Sequence, residues 1–224
     1  MRGLRSVLSA RPLSAARPLA VTLGSLAGYA VVRHWLIPDR LHFVANVAAT
    51  GVVIVGAAAF DLTSHELGTS RDRLRAGLRG GLAAAAVIVV AMIGAALLPA
   101  GRELFDDDRV DVGIGPMLVR VLVTIPIGTV LFEELAFRGV VLALLLRDHP
   151  RRASAVWSAV CFSLWHLPPI IGDGAGEIAS VLVATFAAGI VFAWLRLHTG
   201  SLMAPAFAHV ATNSGAFALA WFVA

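Results

Sequence analysis

Lysine is missing from this 224-residue chain: all 18 basic residues are arginine, and cysteine occurs once, at Cys161. A single cysteine excludes a disulfide scaffold. Charged residues make up only 14% of the chain, against about 25% in soluble globular proteins, which excludes an ordinary soluble domain. Hydrophobic types reach 58% and the mean hydropathy is +0.84, the reverse of the low-hydrophobicity, high-charge signature of disorder. A polytopic membrane protein of one domain remains. The formal charge is +4 and the sequence pI about 10.8. The arginines sit in short runs between apolar stretches, so the basic balance points to membrane topology and not to nucleic acid. No internal repeat and no phosphate-binding loop interrupts this pattern.

An all-α bundle follows. A spanning helix needs about 20 mostly apolar residues, and seven candidates run roughly over 19–37, 41–60, 80–98, 116–146, 152–167, 177–197 and 201–224. Arg33 and His34 interrupt the end of the first; in the long fourth, the expectation is a kink at Pro126 or a break after the motif near Arg138. Residues 1–18, rich in Arg, Ser and Pro, read as a disordered N-terminal segment, and residues 19–224 as one transmembrane domain. With the N-terminus in the cytoplasm, twelve arginines fall inside: Arg2, Arg5, Arg11, Arg17, Arg71, Arg73, Arg75, Arg79, Arg147, Arg151, Arg152 and Arg196. Four fall outside, Arg33, Arg40, Arg102 and Arg109, with the acidic loop from Glu103 to Asp111. That split obeys the positive-inside rule. The polar stretch 61–79, with Leu67, Leu74 and Leu78, reads as a cytoplasmic amphipathic linker or a solvated loop.

Ionisable groups inside spans are costly and mark function by default. Here they are Arg120, Glu133, Glu134, Arg138, His166 and His209, joined by the neutral Asn213. Glu134 and Arg138 stand at i, i+4, so they share a helix face and can pair, which offsets part of the burial cost. Glu133 is rotated about 100° from its neighbour and has no cation on its own segment. Such a carboxylate is the kind of group that general acid–base chemistry uses, while assembly through arginine pairs is the competing reading. His166 follows Phe162 by four residues, just before Pro168 and Pro169 end the helix. His209 and Asn213, again i, i+4, form one polar edge on the last span, which could also serve as helix–helix glue.

Depth favours a shared site. At about 1.5 Å per residue, Glu133 (14 residues from Arg147) and His166 (14 from Arg152) lie about 21 Å in, and His209 (8 from Ser201) about 12 Å, within a core about 30 Å thick. Cys161 reads as a packing residue. His34, His42, His65, His149 and His198 read as interfacial, and Trp35, Trp157, Trp165, Trp194 and Trp221 as interface anchors or packing.

Three motifs, Glu133-Glu134-x-x-x-Arg138, Phe162-x-x-x-His166 and His209-x-x-x-Asn213, stand in order on separate hydrophobic segments between residues 131 and 213. The set resembles the CAAX protease and bacteriocin-processing (CPBP) family, which covers type II CAAX prenyl endopeptidases and bacterial Abi-type intramembrane proteases. The resemblance implies an intramembrane endopeptidase acting on membrane-borne CAAX-like or leader-type peptides, with a cavity open to the cytoplasm. It implies that Glu133 activates water, that His166 helps to hold it, and that His209 and Asn213 stabilise the oxyanion, with Glu134, Arg138 and Phe162 in support. It also implies the class label metalloendopeptidase. A zinc ion could take Glu133, His166 and His209 as ligands; no His-Glu-x-x-His signature is present, and a metal-free mechanism is favoured. The short, arginine-only form looks bacterial and places the chain in the cell membrane. A non-catalytic scaffold or immunity protein of the same fold and a small proton-linked transporter are the alternatives. The second lacks a visible inverted repeat.

Overall fold

In the computed structural model, residues 15–102, 105 and 110–223 are described, and among them there is no strand. Seven helices carry the architecture: α1 (Ala16–Trp35), α2 (His42–Ala59), α3 (Leu74–Ala96), α4 (Ile114–Asp148), α5 (Arg151–Trp165), α6 (Ala175–Thr199) and α7 (Met203–Val223). Among the described residues, five helical stretches are long and apolar enough to cross a membrane: Asp39–Ala59, Ser64–Ala96, Ile114–Asp148, Ala175–Thr199 and Met203–Val223. Of the seven expected spans, the first and fifth are therefore not in this set. The arginine and histidine at its end dilute α1, and α5 has only 15 residues. Valines such as Val52, Val55, Val87 and Val90 are each about 70% exposed, a pattern that suits contact with lipid rather than water.

Of the N-terminal segment expected to be disordered, residues 1–14 lie outside the described residues, and Ala16, Arg17 and Pro18 instead open α1. Most of the acidic loop 103–111 also lies outside them.

The fourth span does not break. It runs unbroken from Ile114 to Asp148 and absorbs its irregularities as two π-type segments, Arg120–Val130 and Glu134–Val141. Pro126 lacks an N–H and crowds the carbonyl one turn back. The wider i→i+5 turn relieves that crowding, and the Leu131 N–H closes on the Pro126 carbonyl.

Hydrogen bonds sort the helix ends into two faces. At one face the Ala15 N–H donates to Asp148 Oδ2 (2.8 Å), Arg151 donates to the Leu197 carbonyl (2.6 Å), and the Leu202 N–H donates to the Gly68 carbonyl (2.7 Å). This face holds Arg71 to Arg79, Arg147, Arg151, Arg152 and Arg196. At the other, His42 Nε2 sits within 3.0 Å of the Arg33 carbonyl and 2.9 Å of the Ile37 carbonyl, and Trp221 donates to the Val112 carbonyl (2.7 Å).

The stretch 61–79 is neither a free loop nor a simple amphipathic helix. Thr63 and Glu66 form a capping box around the single turn Ser64–Leu67. Glu66 Oε1 also accepts from Arg147 Nε at 2.8 Å, and Arg196 Nη2 donates to the carbonyls of Glu66 (2.7 Å) and His65 (3.3 Å). Gly68 ends this turn at φ +75°, and a Cβ there would lie 2.2 Å from the Arg196 guanidinium.

Close helix contacts depend on small residues. A Cβ on Gly189 would meet Ala159 at 2.9 Å, and one on Gly81 would meet the Ala204 backbone at 3.1 Å. These contacts draw α6 onto α5 and α3 onto α7.

Gly68→Ala should therefore be destabilising. A left-handed backbone at alanine costs about 1–2 kcal/mol, and displacing Arg196 adds to it. Thermal unfolding in detergent should show a lower Tm, with the catalytic residues untouched.

Candidate active site

Arg138 lies at the centre of the packed region with a relative exposure of 0%, and Glu134 beside it at 1%. Arg138 Nη1 donates to Glu134 Oε1 at 3.1 Å, the i, i+4 pair expected from the sequence. Its Nε and Nη2 have no hydrogen-bond partner among the described residues. The guanidinium carbon instead sits 3.9 Å from the centroid of the Phe162 ring and 5.0 Å from that of Phe192. Two aromatic faces thus take the part that further acceptors would otherwise play.

Glu134 is shared. Its Oε1 also faces His209 Nδ1 at 2.8 Å. His209 Nε2 lies 3.1 Å from Asn213 Nδ2 and 3.7 Å from Glu133 Oε2. With Nδ1–H donating to Glu134, Nε2 accepts from the Asn213 amide. Phe192 stacks on the imidazole at 4.8 Å, and Phe162 meets it edge-on at 5.7 Å. The two adjacent glutamates thus both reach one histidine. Glu133 ends a short α turn and Glu134 begins a π segment.

Glu133 has a partner that the sequence reading assigns elsewhere. Trp165 Nε1 donates to Glu133 Oε1 at 3.1 Å; this tryptophan is part of the site and not an interface anchor. Its ring is held by Tyr29 (6.0 Å), Phe132 (5.4 Å) and Phe137 (6.0 Å). Tyr29 in turn donates to Asn46 Oδ1 at 2.6 Å, so α1 and α2 buttress α5. Glu133 Oε2 is buried and has no hydrogen-bond partner among the described residues.

His166 caps the C-terminus of α5, where Pro168 and Pro169 begin a short 3₁₀ turn. The His166 Nδ1–H donates to the Phe162 carbonyl at 2.8 Å, which leaves Nε2 free to face the cavity. Glu133, His166, Asn213, Trp165, Thr129 and Arg120 line one cavity of about 930 Å³. Arg120 faces this cavity, with its guanidinium 4.6 Å from the Phe217 centroid.

Three of the four catalytic candidates, Glu133, His166 and Asn213, thus line one cavity; His209 is buried beside Asn213 and Glu133, and the three supporting residues lie behind them. Phe192 and Trp165 are additions, and neither carries a sequence signal beyond being aromatic. Cys161 packs half-buried against the core, as expected. Among the described residues no three His, Cys, Asp or Glu side chains are grouped to hold a metal ion. Nδ1 of His209 is already engaged by Glu134 and Nε2 by Asn213, so this arrangement does not fit Glu133, His166 and His209 as a ligand set.

Residues 115–215 match the family model described as type II CAAX prenyl endopeptidase, Rce1-like. All seven residues of the three motifs fall within that range, and the match supports the chain's membership of the CPBP family. With its five apolar helices it is an integral membrane protein. No curated protein and no solved structure shows significant similarity to the chain.

Arg138→Ala should leave Glu134 and His209 without their cation at full burial. Breaking a buried pair costs about 3–5 kcal/mol, so folded yield and Tm in detergent should fall. Glu133→Gln should keep both, because the amide oxygen can still accept from Trp165. Equal yields for the two variants would refute this division. Trp165→Phe keeps the ring packing and removes one donor to a carboxylate. A bond to a charged group is worth about 1.5–3 kcal/mol, so turnover should drop by about tenfold or more.

Proposed function

We propose that the chain hydrolyses a peptide bond of a membrane-tethered polypeptide, with water activated by Glu133. One observation carries this reading: a buried carboxylate oxygen, Glu133 Oε2, has no hydrogen-bond partner among the described residues and belongs to a side chain lining a cavity of about 930 Å³ that also holds His166 and Asn213. The family match supports the reaction class.

The steps follow from the residues. Glu133 Oε2 takes a proton from water as the water oxygen attacks the scissile carbonyl carbon. The free Nε2 of His166 orients the same water by accepting its second hydrogen. Negative charge develops on the carbonyl oxygen, and the Asn213 amide has a second N–H to donate to it. His209, fixed by Glu134, stands 3.7 Å from Glu133 and backs that edge. When the intermediate collapses, the C–N bond breaks and Glu133 returns its proton to the leaving amine. Trp165 holds the other oxygen of Glu133, so the carboxylate keeps its aim through both transfers.

The proposal includes a metal-free route, seven membrane crossings with α1 and α5 among them, a cytoplasmic N-terminus and a bacterial cell membrane as the site of action. It is favoured over a scaffold or immunity role because all four groups of the mechanism are present and meet.

The test is purified protein with a membrane-borne peptide in lipid vesicles. Cleavage should vanish in Glu133→Gln. Removing one oxyanion donor typically costs roughly 10²–10³ in rate, so Asn213→Ala should slow turnover by that order at unchanged Tm. Chelator-treated protein should remain active. A tightly held zinc, lost together with activity and restoring it when added back, would overturn the metal-free route.

A further inference from the structure

The catalytic cavity and the arginine-rich helix ends lie at opposite faces of the bundle. The cavity wall includes Arg33 and His34 at the end of α1, Pro168 and Pro169 after α5, and Ala220 near the end of α7. All of these belong to the face that also carries His42 and Trp221. Towards the other face the cavity is floored. Every residue of α4 from Phe132 to Leu145 is buried. Phe137, Val141 and Leu145 join Phe162, Phe192 and Leu195 in one packed cluster. A water-filled route from Glu133 to the arginine-rich face would have to cross that layer.

The arginines set the direction of the bundle. Among the described residues nine stand on the floored side, Arg17, Arg71, Arg73, Arg75, Arg79, Arg147, Arg151, Arg152 and Arg196, and three on the open side, Arg33, Arg40 and Arg102. Retention of Arg-rich loops in the cytoplasm is the strongest topological signal in a membrane sequence, and α1 to α7 join the two faces alternately. The opposite orientation would export the whole majority.

We propose that the cavity opens on the non-cytoplasmic face, so that the scissile segment of the substrate is exposed on the outer side of the membrane, as in an exported, membrane-tethered polypeptide. This departs from the cytoplasmic opening that the family resemblance implies. It rests on the peptidase reading for the word substrate, but its test reads accessibility and not turnover.

The experiment uses full-length protein in intact bacterial cells, with Cys161→Ala as background, since Cys161 is the single native cysteine. Three positions are changed to cysteine one at a time: Asp173 in the exposed α5–α6 connection, His149 in the exposed α4–α5 connection, and Thr129 on the cavity wall. A membrane-impermeant maleimide should label Asp173→Cys and Thr129→Cys in intact cells, and His149→Cys only after permeabilisation. Thr185→Cys, on the same cavity wall, replaces Thr129→Cys if the latter does not accumulate. Labelling of His149→Cys but not Asp173→Cys in intact cells would invert the bundle and overturn the proposal. Labelling of Asp173→Cys without either cavity position would also overturn it, because the cavity would then be closed to the outside. Loss of peptidase activity with this labelling pattern intact would count against the reaction and not the orientation.

Discussion

The site is organised around one guanidinium that cannot reach water. Arg138 is held by a single carboxylate and two aromatic faces. An unpaired charge in this setting would be costly enough to unfold the region, so each neighbour is fixed by the need to satisfy it. Glu134 Oε1 is held against Arg138 Nη1, and the same oxygen anchors His209 Nδ1. Phe162 must lie flat under Arg138, and because it does, its carbonyl and ring edge hold His166. One buried cation thus sets the positions of both histidines. Phe162 is best understood as a support for that cation.

Backbone geometry makes this clustering feasible. Small-residue contact between Gly189 and Ala159 brings α6 close enough to α5 for Phe162 and Phe192 to share one cation. The π segments of α4 widen its turns where Pro126 and the glutamate pair occur, a place where such segments are common in functional helices. An ideal helix would splay Glu133 and Glu134 apart. Here both reach His209 from neighbouring positions, so the supporting carboxylate and the proposed base act on the same ring.

Much of this was legible in the residues. The pairing of Glu134 with Arg138 follows from i, i+4 spacing, the end of α5 at His166 from two prolines, and the convergence of three helices from depth alone. Glu133 was legible as the carboxylate without a cation, but its donor Trp165 was not. A tryptophan near a helix end reads as an interface anchor, and only the packing of Tyr29 and Phe132 turns its indole inward. Phe192 was illegible for a plainer reason, since one phenylalanine in an apolar helix resembles any other. The stretch 61–79 looked like a surface linker because its charges are dense. The groups that hold it, Arg147 on the Glu66 carboxylate and Arg196 on the His65 and Glu66 carbonyls, stand more than sixty residues away in sequence, beyond any local pattern. The first irregular stretch of α4 was visible as a proline and the second only as a candidate break near Arg138; their form, π turns in an unbroken helix, depends on neighbours that bury it.

The off-centre position of the site has its own physical logic. Hydrolysis inside a bilayer needs water at the carboxylate, yet a continuous aqueous path would let ions and protons cross. The described structure combines a cavity on one side of Glu133 with a packed layer on the other. That layer includes Phe137 and Leu145 on α4 and Phe162 on α5. The charged pair Glu134 and Arg138 lies within it, fully buried, where it can position His209 without giving water a route. Placing the support inside the seal explains why Arg138 is satisfied by aromatic faces. Water could have satisfied it as well, but would have opened the floor.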